Sequence, residues 1–155
     1  MIPQYSIRKY LMAGITSDAD LWELAHKIRL PIRWIGFKNE TPTPVAGNYI
    51  INLASSTDGT GGTHWCAARL EGRGRTRKAL YFDPFGMPPP LVVLKWLNQW
   101  IGSDHHKLVI NLNTIQNLNS NWCGQYCIGC LEAMESCPGT LAKRLHHFIS
   151  TFRTY

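Results

Sequence analysis

Cys123 stands in Asn121-Trp122-Cys123-Gly124-Gln125-Tyr126-Cys127, where a helix is predicted to begin. The free N–H groups and dipole at a helix N-terminus favour a thiolate over a thiol, and Gly124 is expected to leave room for a substrate backbone beside the sulfur. A thiolate nucleophile needs a base, a group to hold that base, and donors for the oxyanion. His64, in Gly61-Gly62-Thr63-His64-Trp65, enters a predicted strand and is the candidate base. Asp83, in Tyr81-Phe82-Asp83-Pro84-Phe85-Gly86, ends the next strand. Its carboxylate is expected to accept the imidazole Nδ1–H, which would fix the tautomer and stabilise the imidazolium. Gln116, seven positions before Cys123, could donate its amide to the oxyanion beside the backbone N–H of Cys123. Singly, each residue has an ordinary structural explanation: a buried cysteine, a strand histidine, an Asp-Pro turn, a surface glutamine. Their order and spacing together point to cysteine proteolysis.

These side chains need elements to carry them. A helix is predicted over about 18–29, with Ser17 as N-cap, Asp18 and Asp20 in its first turn, and Leu21, Leu24, Ala25 and Ile28 on one face, ending at Pro31. Strands are predicted at 33–37, 48–54, 63–70, 79–83 and 107–112. The loops 55–62 and 71–78 are polar and glycine-bearing, as hairpin connections are. A helix after Pro88-Pro89-Pro90 runs through Trp100, with Leu91, Leu94, Trp96 and Leu97 as candidate core contacts. Two more, near 123–136 and 140–151, are separated by Pro138-Gly139. Helices around a mixed, mostly antiparallel sheet make an α+β domain, with the nucleophile at the start of a central helix.

The 155 residues fit a single domain, 45% hydrophobic and 17% charged. No apolar run is long enough to span a bilayer. The start, Met1-Ile2-Pro3-Gln4-Tyr5, does not read as a secretion signal, so the five cysteines are expected as thiols and the protein as unsecreted. The net charge of +6 favours acidic partners such as nucleic acid.

Together the segments resemble the adenovirus protease (adenain) family, whose clan includes the proteases that remove SUMO and similar modifiers. Gly61-Gly62-Thr63-His64-Trp65 is similar to its Gly-Gly-x-His-Trp segment, and Phe82-Asp83-Pro84-Phe85-Gly86 to its Phe-Glu-Pro-Phe-Gly segment with Asp for Glu. The separation of Gln116 from Cys123 and the Asn119-Ser120 pair also match. The resemblance implies a papain-like, adenain-like fold and an endopeptidase for small Gly-containing sites. It implies maturation of viral capsid and core precursors in a virion or host nucleus, by a monomer without membrane contact. Trp65 would flank the substrate cleft. DNA would serve as a cofactor, on Arg69, Arg73, Arg75, Arg77 and Lys78 with Lys143, Arg144 and Arg153. The family's activating peptide forms a disulfide, yet no cysteine lies between Cys66 and Cys123, at the matching place near His105. An activating peptide would therefore bind noncovalently, by strand addition. Leu70-Glu71-Gly72-Arg73-Gly74 fits the family's cleavage pattern, which makes self-nicking after Arg73 a further expectation.

Three other functions fit parts of the sequence. A deconjugating protease would use the same chemistry on another substrate. A basic DNA-binding module would leave the His–Asp–Gln–Cys order unexplained. A zinc site from Cys123, Cys127, Cys130, His146 and His147 would draw three ligands from one helix face, so no metal is expected there; Cys127 and Cys130 are expected to fill a buried face.

Overall fold

The structure, a computed structural model, describes residues 17–54, 64–115 and 123–151. The elements run α1 (Asp18–Lys27), β1 (Trp34–Phe37), β2 (Gly47–Asn52), β3 (Trp65–Glu71), β4 (Lys78–Phe82), α2 (Leu91–Ile101), β5 (Leu108–Ile110), α3 (Cys123–Ser136) and α4 (Leu141–Ser150). The five strands form one sheet in chain order. Its central pairs, β2–β3 and β3–β4, are antiparallel hairpins. Its outer pairs, β1–β2 and β4–β5, are parallel.

Side chains alternate across a strand, and here both faces are covered. Trp65 and Ala67 of β3, with Leu80 and Phe82 of β4, meet α1, α3 and α4. Cys66, Ala68, Leu70, Ala79 and Tyr81 pack against α2 on the other side. Double coverage explains why these strands read as near-continuous apolar runs. On α2 the core contacts are Val93, Trp96, Leu97, Trp100 and Ile101; Leu91, expected in the core, is 66% exposed because it opens the helix.

The ends of α1 follow from local chemistry. Ser17 and Asp20 form a reciprocal capping box. The helix stops at Lys27, earlier than expected and before Pro31 can act. Arg29 turns to φ 59°, its N–H binds the His26 carbonyl, and the Leu30 N–H binds the Ala25 carbonyl. This left-handed cap satisfies the final carbonyls.

Arg144 donates to Glu71 Oε1 (2.6 Å) and to the Met134 carbonyl, and Arg69 pairs with Glu135 and with Asn48 Oδ1 (2.9 Å). These bonds tie α3 and α4 to the end of β3 remote from His64.

Candidate active site

The site forms where β3 begins, β4 ends and α3 begins. His64 immediately precedes β3, and its carbonyl accepts the Leu53 N–H (2.9 Å). Asp83 immediately follows β4 and is wholly buried. The β3–β4 register that opposes Ala67 to Phe82 carries both side chains to one face of the sheet. Their imidazole and carboxylate meet at 2.8 Å.

That bond uses Nε2, not the expected Nδ1. The carboxylate approaches the far nitrogen of the ring, so Nδ1, which is buried, remains as the atom that can exchange a proton with a thiol. Asp83 Oδ1 also accepts the Phe85 N–H (2.8 Å), and the Phe85 ring stacks on the imidazole at 4.6 Å and 14°. Burial alone would lower the His64 pKa. The Asp83 hydrogen bond and the thiols of Cys123 and Cys66 together outweigh it and push the value up to about 12.

Cys123 is the first residue of α3, as expected, and is buried. Its Sγ accepts the Trp65 N–H at 3.3 Å, while Cys127 Sγ donates to the Trp65 carbonyl at 3.3 Å. The N–H and carbonyl of Trp65, next to His64, thus fix the first turn of α3 against β3. The leading N–H groups of a helix have no intrahelical partner, and Cys123 stands at that end of α3.

Two residues that sequence reasoning passed over hold the acid. Asn111 accepts the Asp83 N–H at Oδ1 (2.9 Å) and donates from Nδ2 to the Asp83 carbonyl (2.6 Å) and the Asn113 carbonyl (3.1 Å). A buried amide ending the apolar run Leu108-Val109-Ile110 was the available signal. Phe85 is the other, two positions after Asp83. Gly86, at φ 75°, closes the turn by donating to the Asp83 carbonyl (2.8 Å). A Cβ there would stand 2.9 Å from the Asn113 carbonyl carbon.

The other candidate residues have the following surroundings. Trp65 does not offer a cleft wall: its side chain is 5% exposed and packs in the core beneath α3. At Gly124 a Cβ would lie 2.7 Å from Leu21 Cδ2 of α1, so packing calls for glycine there. Arg69 and Arg144 are committed to Glu135 and Glu71, and Arg77 lies over the Trp100 ring at 4.1 Å. Arg73, Arg75 and Lys78 are exposed. Cys127 and Cys130 fill a buried helix face as expected, and burial raises both thiol pKa values. Leu70 is buried and Glu71 is paired, so the expected nicking segment is held in the hairpin. Gln116, Gly61, Gly62, Thr63, Asn119, Ser120 and Arg153 lie outside the described residues.

Comparison with solved structures bears on the fold. The ASFV pS273R protease aligns over 90% of this chain and 62% of its own length, with a TM-score of 0.50 and 18% identity. The fold is that of the papain-like cysteine proteases. A selenomethionine form of the same protease aligns over 67% of this chain and 38% of its own, at 28% identity and TM-score 0.42. HopZ1a in complex with IP6 aligns over 96% and 54%, at 11% identity and TM-score 0.46. The chain therefore spans less than two thirds of each of these. No family model and no curated protein matches the sequence.

Proposed function

We propose that this chain is a cysteine endopeptidase with Cys123 as nucleophile, His64 as proton carrier and Asp83 as the group that holds it. The observation that carries the reading is the imidazole bound to Asp83 at 2.8 Å next to the residue whose N–H reaches Cys123 Sγ. In the reaction Cys123 acts as the thiolate and His64 as the imidazolium. Sγ attacks the substrate carbonyl, whose π electrons move to oxygen. The Cys123 N–H and, as the sequence implies, the Gln116 amide receive that charge. As the C–N bond breaks, the imidazolium gives its Nδ1 proton to the leaving amine, and a thioester remains. Neutral His64 then takes a proton from water as its oxygen attacks the thioester. Collapse releases the carboxylic acid and restores thiolate and imidazolium.

The sequence resemblance supports Gly-containing cleavage sites in viral precursor proteins and action in a virion or host nucleus. It also supports DNA as a cofactor. The exposed Arg73, Arg75 and Lys78 would then meet the phosphates. Cleavage of Gly-containing peptides, abolished by Cys123→Ala, is the expected outcome with DNA present. Labelling of Cys123 by a SUMO or ubiquitin vinyl sulfone, without peptide cleavage, would replace maturation with deconjugation. Neither reaction, alongside salt-sensitive DNA binding, would leave a non-catalytic DNA-binding module.

A further inference from the structure

Behind the His64–Asp83 pair lies a third chemically competent side chain that the proposed mechanism does not use. Cys66 shares its sheet face with His64 and Asp83, and one donor atom from each of the three lies within 4.8 Å of the others. Cys66 and Asp83 are wholly buried, and the His64 side chain is 20% exposed, which gives the cluster one edge toward solvent. The cluster also holds unused polar capacity. Asp83 Oδ2 is buried without a hydrogen-bond partner among the described residues. An unsatisfied buried polar group costs about 1–3 kcal/mol, so this oxygen favours a ligand that can use it.

We propose that His64, Cys66 and Asp83 form a zinc-binding site that overlaps the active site and holds it inactive. One imidazole, one thiolate and one carboxylate suit zinc, whose bonds run about 2.0–2.3 Å and which takes four ligands in a tetrahedron. Ligand atoms in such a tetrahedron stand roughly 3.3–3.8 Å apart. The donors need to adjust by about an ångström, with the His64–Asp83 bond opening as the ion enters. Water takes the fourth position. The charge balance is favourable in a buried setting: Zn²⁺ replaces one proton on the imidazolium and one on the Cys66 thiol, and both leave to solvent. The net charge of the cluster is unchanged, and metal coordination keeps the thiol deprotonated. The ion takes His64 away from its acid and its proton-carrying role. This site differs from the Cys123, Cys127 and Cys130 set on α3. Binding does not depend on the protease reading; only the resulting inhibition does.

Cobalt(II), added to the full chain in place of spectroscopically silent zinc, tests this directly. We expect a cobalt–thiolate charge-transfer band and the visible bands of tetrahedral cobalt in wild type. Both should persist in Cys123→Ser and disappear in Cys66→Ser, with zinc competing them away. Zinc affinity should fall roughly a hundredfold or more in Cys66→Ser, since even outer-shell partners are worth ~10–100-fold. X-ray absorption of zinc-loaded Cys123→Ser, independent of how Cys66→Ser folds, should show one sulfur among nitrogen and oxygen ligands. Bands lost in Cys123→Ser but kept in Cys66→Ser would overturn the proposal by making the nucleophile the ligand. So would the absence of bands in wild type, or a sulfur-free zinc shell.

Discussion

Asp83 Oδ1 accepts two hydrogen bonds at once, from His64 Nε2 and the Phe85 N–H, so its oxygen and its charge can be tested separately. Asp83→Asn keeps an oxygen acceptor and should retain more kcat/KM than Asp83→Ala. Both should lower the His64 pKa, moving the alkaline limb of the pH–rate profile to lower pH. A stability effect follows with a definite sign. The His64 pKa is raised from its ordinary 6.5 to about 12. The contribution of the pair to folding is therefore complete below about 6.5 and is lost as pH rises toward 12. Denaturant titrations at pH 6 and pH 10 should show wild type losing more stability than His64→Gln over that interval. Asn111 acts one step removed, as a positioning residue. Asn111→Ala leaves the buried Asp83 N–H unpaired and should cost about 1–3 kcal/mol of stability. Its kcat should fall while KM holds, a split that lost stability alone would not produce.

At the scale of elements, the junction of α1 with the start of α3 sets where Cys123 stands. Gly124→Ala would drive a methyl into Leu21, which is wholly buried, and should destabilise by about 1–3 kcal/mol. A cycle with Leu21→Ala should recover much of that loss, which thermal or denaturant unfolding would show. Loop charges behave differently. If the β3–β4 turn meets DNA, neutralising Arg73, Arg75 and Lys78 should reduce the slope of log affinity against log salt by roughly 2–3. The elements were largely legible in the sequence because apolar runs, Ser17 and Pro138-Gly139 mark their boundaries locally. The end of α1 was less so, since a non-glycine residue at φ 59° leaves no sequence signature. The packing of Gly124 against α1 and the burial of Trp65 were not legible for a related reason. Both depend on what packs against them, and α1 comes to Gly124 from more than a hundred positions away.

Across the whole molecule, chemistry and anchorage occupy opposite ends of β3. His64 precedes its first residue, and Glu71, its last, binds Arg144 of α4. Arg69 binds Glu135 of α3 near the same end. Breaking a buried pair is costly because it strands the remaining charge; these pairs are partly exposed, so the effect is smaller. Glu71→Ala should cost about 1–3 kcal/mol and leave kcat/KM per folded molecule unchanged, as unfolding curves and active-site titration would establish. The His–Asp–Cys order was legible in the sequence because it is an order of residue types. The imidazole nitrogen used, the Asn111 clamp and the proximity of Cys66 were not, because register and face decide them.

The central claim is that His64 activates Cys123, and the alkylation rate of each cysteine tests it without substrate or activator. Mass spectrometry would follow iodoacetamide labelling from pH 5 to 9 in wild type and His64→Ala, with and without DNA. Cys123 should label fastest and remain reactive at the acid end, where an unperturbed thiol of pKa ~8.5 is protonated. His64→Ala should remove that acid-side reactivity. Equal, ordinary-thiol behaviour of Cys123 in both proteins, with and without DNA, would contradict the account.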